Sequence, residues 1–141
     1  MAIADWFAAQ DAIEAQLRSA PTLSKVDIFT GDMPDGYQYT RPYLVVSFLG
    51  EAGLQRHQGI TGAQDDSVKG QFTTSSVAES DRDARRLSQI VRGVLVGFVP
   101  NQQCGQVEPA FFAGVGTISE LSTPTRYSAD QAYQITVNAD L

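Results

Sequence analysis

The chain has 141 residues, of which 43% are hydrophobic and 18% charged, and its formal net charge is −6. That length and composition suit one folded domain with a single core and exclude wholesale disorder. The acidic balance argues against a reader of duplex nucleic acid, which needs a basic footprint, and the longest apolar run, residues 43–49, is far too short to span a bilayer.

The first residues lack a basic n-region and carry Asp5 and Asp11, so no secretory signal is expected. Cys104 is the single cysteine, which leaves no internal disulfide and suits folding in a reducing compartment. Residues 3–18 read as a helix. Ile3, Trp6, Phe7, Ile13 and Leu17 recur near a helical period with Gln10 as a polar intruder, and Ser19-Ala20-Pro21 closes it. Trp6 is better read as a core or subunit-interface anchor than as a ligand-stacking group.

Residues 26–30 form a short expected strand, followed by a turn-rich break over residues 31–36. Residues 42–49, PYLVVSFL, are the strongest strand. They are β-branched and aromatic, and apolar on both alternations apart from Ser47, the pattern of a central strand covered on both faces. Residues 50–67, rich in glycine and polar groups, read as a long loop, which in a compact domain marks a functional projection or disorder.

Residues 68–77 read as a polar strand in which Lys69, Gln71, Thr73 and Ser75 alternate with Val68, Gly70, Phe72, Thr74 and Ser76. So few large apolar groups imply either a half-exposed strand or a face completed by a neighbouring subunit. The helix that follows, residues 80–97, is the firmest local expectation. Ser80 is placed to cap it, and Asp81 and Asp83 complement the dipole of the first turn. Ala84, Leu87, Val91, Val94 and Leu95 make the apolar face, and Gly97 offers a left-handed stop. Arg82, Arg85, Arg86 and Arg92 lie elsewhere on the helix. They read as a solvated face or as inter-subunit ion pairs in preference to a nucleic-acid patch. Beyond it, residues 107–118 read as a broken strand or hairpin and residues 124–130 as a loop. Residues 132–139 form a cleanly alternating terminal strand with one face buried.

Catalytic and ligand-binding patterns are weak. His57 is the single histidine and lies far along the chain from Cys104, with no signature around either. Asp65-Asp66 lacks the spaced oxygen ligands of a calcium loop. Gly114-Val115-Gly116 is a fragment of a dinucleotide fingerprint without its third glycine or helix. No catalytic, cofactor-binding or metal-binding residue is assigned, and no cofactor is expected.

The resulting expectation is an α+β fold. A mixed, mainly antiparallel sheet of four to five strands is packed by an N-terminal and a central helix, in one domain covering residues 1–141. In this order of elements the chain resembles the tail terminator (tail completion) proteins of long-tailed bacteriophages. The resemblance rests on an opening helix, the proline-led strand Arg41-Pro42-Tyr43-Leu44-Val45-Val46, and a loop followed by a polar strand. It rests also on the helix motif Asp81-Arg82-Asp83-Ala84-Arg85-Arg86-Leu87 and the closing strand Tyr133-Gln134-Ile135-Thr136-Val137. The resemblance implies a non-enzymatic subunit that assembles with itself into a six-membered ring on the tail tube and stops tube polymerisation. The ring would offer a surface to head–neck connector proteins and let DNA pass without sequence-specific binding or membrane contact. It implies a place at the head-proximal end of the virion tail, with assembly in the host cytoplasm. A ring needs a heterologous interface that closes, for which Leu54, Arg56, His57, Ile60, Lys69, Gln71, Thr73, Ser75, Arg126 and Tyr127 are the candidate residues. A head–tail joining (neck) protein is the alternative in the same class. A small cytoplasmic enzyme or ligand-binding domain using Cys104 or His57 is the alternative in another.

Overall fold

The computed structural model describes residues 6–31, 37, 39–48, 55–58, 64–102, 104–118 and 126–137. Helix α1 (Trp6–Ser19) is followed by a 3-10 turn (Pro21–Leu23) and strands β1 (Asp27–Thr30), β2 (Tyr43–Phe48), β3 (Gln55–Gln58) and β4 (Gln64–Ala78). Helix α2 (Asp81–Leu95) precedes β5 (Glu108–Ile118) and β6 (Arg126–Val137). The sheet runs β1-β2-β4-β6-β5, and the short β3 pairs with β4 off this path. β1 and β2 are parallel and the other pairings antiparallel. The expected α+β fold with a mixed, mostly antiparallel sheet is therefore the one adopted.

Helix α2 forms for the reasons its sequence gives. Ser80 is extended and its Oγ accepts from the Asp83 backbone N–H at 3.1 Å. This satisfies one of the donors that a helix start leaves unpaired. Gly97 has φ +87°, and its N–H donates to the Val107 carbonyl at 2.9 Å, pinning the helix stop to the approach of β5. Ala84, Leu87, Ser88, Val91 and Leu95 are buried against the sheet. Ile90 and Val94 pack on the main core at the helix edge, and Gln16 of α1 donates to the Val94 carbonyl. α1 buries Ala9, Ile13 and Leu17. Phe7, expected on the apolar stripe, is instead 70% exposed, because it falls off the 9-13-17 row that meets the core. Ile3 lies outside the described residues, as does the side chain of Trp6.

Both helices lie on one face of the sheet. That face carries Leu44 and Val46 of β2, Phe72 of β4, and Tyr133, Ile135 and Val137 of β6, all buried in one cluster with the helices. The Phe72 and Tyr133 rings stack at 5.2 Å. The expectation that β2 is covered on both faces is corrected: Val45 is half-buried and Ser47 exposed on the side away from the helices. β2 lies between β1 and β4, with only its Leu44–Val46 row turned toward the helices.

The polar strand lies at the centre of the sheet, hydrogen-bonded between β2 and β6. Its helix-facing row, Gly70, Phe72, Thr74, Ser76 and Ala78, is buried throughout. Ala78 packs with Ala84 and Ala129, and Tyr127 lies against them. Small residues here let α2 sit close to the sheet, so this half of the strand is completed by the chain's own helix and not by a neighbour. The other row, Gln71, Thr73 and Ser75, is exposed to half-buried, as a half-exposed strand requires.

The segment expected to be a loop is partly paired. β3 continues the β2 side of β4: Phe48 pairs with Phe72, and Gln55 with Lys69 farther along. β4 begins at Gln64, four residues before Val68, which is the partner of Val137 at the end of β6. The β3–β4 pair forms an arm of the sheet that runs on past the last described residue of β6. Two other boundaries are corrected. Residues 126–130, expected as loop, are the start of β6, because pairing with both neighbours outweighs their local turn character. β5 is one strand with register shifts at Pro109/Phe111 and Phe112/Gly114, where proline and glycine interrupt the ladder. The clean alternation of the last strand holds from Tyr133 to Val137.

Tyr133 generates a prediction. It is fully buried, and burial pushes its phenol up to about 12, against a smaller opposing effect from Thr74 Oγ1 beside it. The two hydroxyls do not meet hydrogen-bond geometry. The native state therefore holds the phenolic proton more tightly than the unfolded chain. Stability contributed by the neutral phenol is present below the unfolded value near pH ~10, and is lost as pH rises from there toward 12. Tyr133→Phe removes an unsatisfied hydroxyl, so urea unfolding at pH 7 should change by less than about 1 kcal/mol, and the loss of stability between pH 10 and 12 should shrink. A loss of several kcal/mol at pH 7 would contradict the reading.

Candidate interaction surfaces

The sheet face away from the helices is built from the alternate rows of β2, β4 and β6. Val45 and Ser47 of β2 stand opposite Ser75 and Thr73 of β4, which stand opposite Asp130 and Ala132 of β6; Gln71 pairs with Gln134. The resulting strip carries small and polar side chains, with Gln71 and Ser47 exposed. Of the candidate residues, the structure brings Gln71, Thr73, Ser75 and Arg126 onto this one face. Lys69 belongs to β4, and Arg56 and His57 belong to β3. Leu54 and Ile60 lie outside the described residues. Tyr127 is separated from the others. Adjacent strand residues face opposite ways, and Tyr127 packs on the helix side against Ala78, Ala84 and Ala129.

At one end of this face the structure assembles a cluster that sequence reading missed. Tyr43 is surrounded edge-on by Phe29, Tyr37 and Tyr39, with ring centroids 5.3–6.0 Å away. The Arg126 guanidinium lies 5.8 Å from the Tyr39 and Tyr43 ring centres, and its Nη1 donates to the Tyr43 hydroxyl at 3.1 Å. Such edge-to-face packing and cation–π contact suit a sheet face over which no helix lies among the described residues. Burial raises the phenols of Tyr37, Tyr39 and Tyr43. Beside the cluster, hydrogen bonding from Arg41 holds the Asp27 carboxyl below its usual value. The Tyr37 hydroxyl lies near the same carboxylate but outside hydrogen-bond geometry. The signal available in the sequence was three tyrosines at spacings of two and four, Tyr37, Tyr39 and Tyr43, around a proline-led strand.

On the helix side, the flank of α2 over β5 carries a cavity of about 210 Å³ lined by Arg85, Ser88, Gln89, Arg92 and Gln131. Ser88 and Gln131 are buried, at 5% and 4% exposure, and form its floor. Gln131 Nε2 donates to the Ala132 carbonyl at 2.9 Å.

The two residues considered for nucleophilic chemistry are kept apart. Cys104 is buried and bridges to Val137 of β6, Val137 pairs with Val68 of β4, and Val68 pairs with Arg56 of β3, beside His57. Three inter-strand spacings place the two backbones roughly 14 Å apart. Among the described residues no cluster of three metal-ligating side chains occurs, and no helix is long and apolar enough to cross a membrane.

No protein-family model matches the chain, and no curated protein sequence matches it. Among solved structures, a chain from the virion of a native gene transfer agent (GTA) particle is similar to it, with a TM-score of 0.65 and 17% sequence identity. The likeness covers 92% of this chain and 93% of that one. At this identity the likeness is one of fold, and it extends over nearly the whole of both chains.

The aromatic cluster yields a second prediction. Arg126→Ala removes one hydrogen bond and the ring contacts, each worth about 1 kcal/mol, so the urea midpoint should fall by the equivalent of about 1–2 kcal/mol. Arg126→Lys, which keeps the charge without the planar fork, should recover less than half. Wild-type stability in Arg126→Ala would show that the cluster is incidental.

Proposed function

We propose that this protein is a structural component of a phage-like virion that caps the tail tube as an oligomeric ring, ending tube polymerisation and presenting a surface for head attachment. The observation that carries this reading is the near full-length likeness in fold to a chain of a gene transfer agent virion. Three features of the chain support it. The order of elements resembles that of tail terminator proteins. The β3–β4 arm extends the β2 side of the central strand. Among the described residues no helix lies over the opposite sheet face, whose middle strip carries small and polar side chains, a surface suited to protein contact. The partners are then further copies of this chain, in a six-membered ring, the tail tube protein below and head–neck connector proteins above. DNA passes through the ring, and net charge −6 suits a channel to which DNA does not adhere. Its place is the head-proximal end of the tail, after assembly in the host cytoplasm.

Light scattering coupled to size exclusion should show a discrete oligomer at high protein concentration. Added to polymerising tube subunits, the protein should arrest elongation. A discrete ring that leaves elongation unrestricted would favour the neck-protein reading, and a strict monomer that fails to arrest elongation would overturn the proposal.

A further inference from the structure

We infer that subunits join edge to edge, with strand β5 of one copy adding to strand β1 of the next, so that the sheet continues from subunit to subunit. This names the contact that joins subunits and so rests on the ring reading above.

The sheet ends at β1 on one side and at β5 on the other, and among the described residues each pairs with a single neighbour. A strand in that position turns a row of N–H and C=O groups away from the sheet, which templates pairing with another chain. The hydrogen bonds identify those groups. The Asp27 N–H donates to the Pro42 carbonyl at 3.3 Å, and the Gly31 N–H to the Val46 carbonyl at 2.9 Å. Backbone groups alternate in direction along a strand, so Asp27, Phe29 and Gly31 turn toward β2, while Ile28 and Thr30 turn outward. At the other end, the Thr136 carbonyl accepts from the Gly105 N–H at 2.9 Å, on the side of β6 away from β4. β6 keeps an unbroken register with β4, so Asp130, Ser128 and Arg126 turn to the same side as Thr136. Their partners Gly114, Gly116 and Ile118 are therefore bonded to β6, which leaves Val115 and Thr117 with outward N–H and C=O groups.

The two edges match in direction and in level. β2 and β6 run against β4, β1 runs with β2, and β5 runs against β6. β1 and β5 therefore run in opposite directions, and two copies related by rotation about an axis along the strands present them as an antiparallel pair. A single row crosses the whole sheet from Ile28 through Leu44, Ser76 and Ala129 to Val115, so the outward stretches lie level. Val115 opposite Thr30 and Thr117 opposite Ile28 uses all four outward residues and lies a step of two residues from that row. A closed sheet of tilted strands requires a stagger of this kind.

β5 also lacks the usual protections of a lone edge, which are charge, proline and bulges. It carries no charged residue from Pro109 to Ile118 and no proline beyond Pro109. Its register shifts fall at Pro109/Phe111 and Phe112/Gly114, and from Gly114 to Ile118 the ladder is regular. A second copy of the chain supplies an edge of matching level and opposite direction to that regular stretch. Because β1 and β5 stand at opposite sides of one molecule, the joint is heterologous, and its repetition closes into a ring when the rotation allows.

The test places proline on the outer edge. Thr117→Pro removes an outward N–H and leaves the bonds to β6 in place, a substitution that an edge strand tolerates. It should stay folded with a nearly unchanged unfolding midpoint in dilute protein, and run as a monomer in light scattering. Gly116→Pro removes a donor to β6 and should lower the midpoint. In the wild-type protein, hydrogen exchange followed residue by residue should show Ile28, Thr30, Val115 and Thr117 gaining protection on assembly, with Phe29 and Gly116 protected already in dilute protein. If the wild-type protein is monomeric, the ring reading fails and this contact with it. If the wild-type protein assembles but Thr117→Pro assembles equally well, or the four amides gain no protection, the contact is overturned while the ring reading stands. Protection gained at Val115 and Thr117 alone would show β5 pairing with itself and would overturn the choice of β1. Should Thr117→Pro fail to fold, the exchange pattern of the wild-type protein decides.

Discussion

The packing of α2 on the central β4–β6 pair is the constraint on which the rest of the structure depends. The helix reaches the sheet over a layer of small residues, Thr74, Ser76 and Ala78 of β4 with Ala129 of β6 and Ala84 of its own first turns. At the other end of the same interface, Leu87, Val91 and Leu95 meet Phe72, Tyr133, Ile135 and Val137. The contact is thus graded from thin to thick along the helix. Ser80 fixes the thin end by its cap, and Gly97, bonded to Val107, fixes the thick end. Buried hydroxyls at Thr74 and Ser76 are a cost of the arrangement, offset by large apolar burial beyond them.

Placing both helices on one face divides the molecule by role. The covered face supplies stability. The uncovered face supplies a strip of small and polar groups, closed at one end by the Arg126–tyrosine cluster and continued at the other by the arm. A sheet with one face left without a helix by the described residues is suited to association, since it offers shape without requiring exposed hydrophobic area. That division supports a reading as an assembly subunit.

Much of the fold was legible in the sequence because its signals were local. The cap at Ser80, the 84-87-91-95 spacing and the stop at Gly97 specify α2 without tertiary information, and the alternation after Tyr133 specifies the end of β6. The β3–β4 arm was not legible. Its glycine-rich, polar sequence has no two-residue hydrophobic period, and its pairing continues a ladder begun by the apolar strand β2. Phe7 was placed on the wrong side for a related reason, since which apolar residues of α1 meet the core is decided by the sheet below. Among the candidate residues, Arg126 and Tyr127 are neighbours in sequence but are divided between the two faces once residue 126 is recognised as strand. The tyrosine cluster depends on segments separated by more than eighty residues, Tyr43 and Arg126, and no local pattern announces such a contact.

The central claim is that the polar strand is completed by its own helix, leaving the arm for association. Hydrogen–deuterium exchange, followed by segment in dilute and in concentrated protein, tests it most directly. In dilute protein, amides of residues 70–78 and of α2 should already be protected close to the global limit. Residues 55–58, a short strand paired with β4 alone among the described residues, should exchange quickly and gain protection only at high concentration. The opposite pattern, with residues 70–78 exchanging freely in dilute protein and becoming protected only on concentration, would contradict the account.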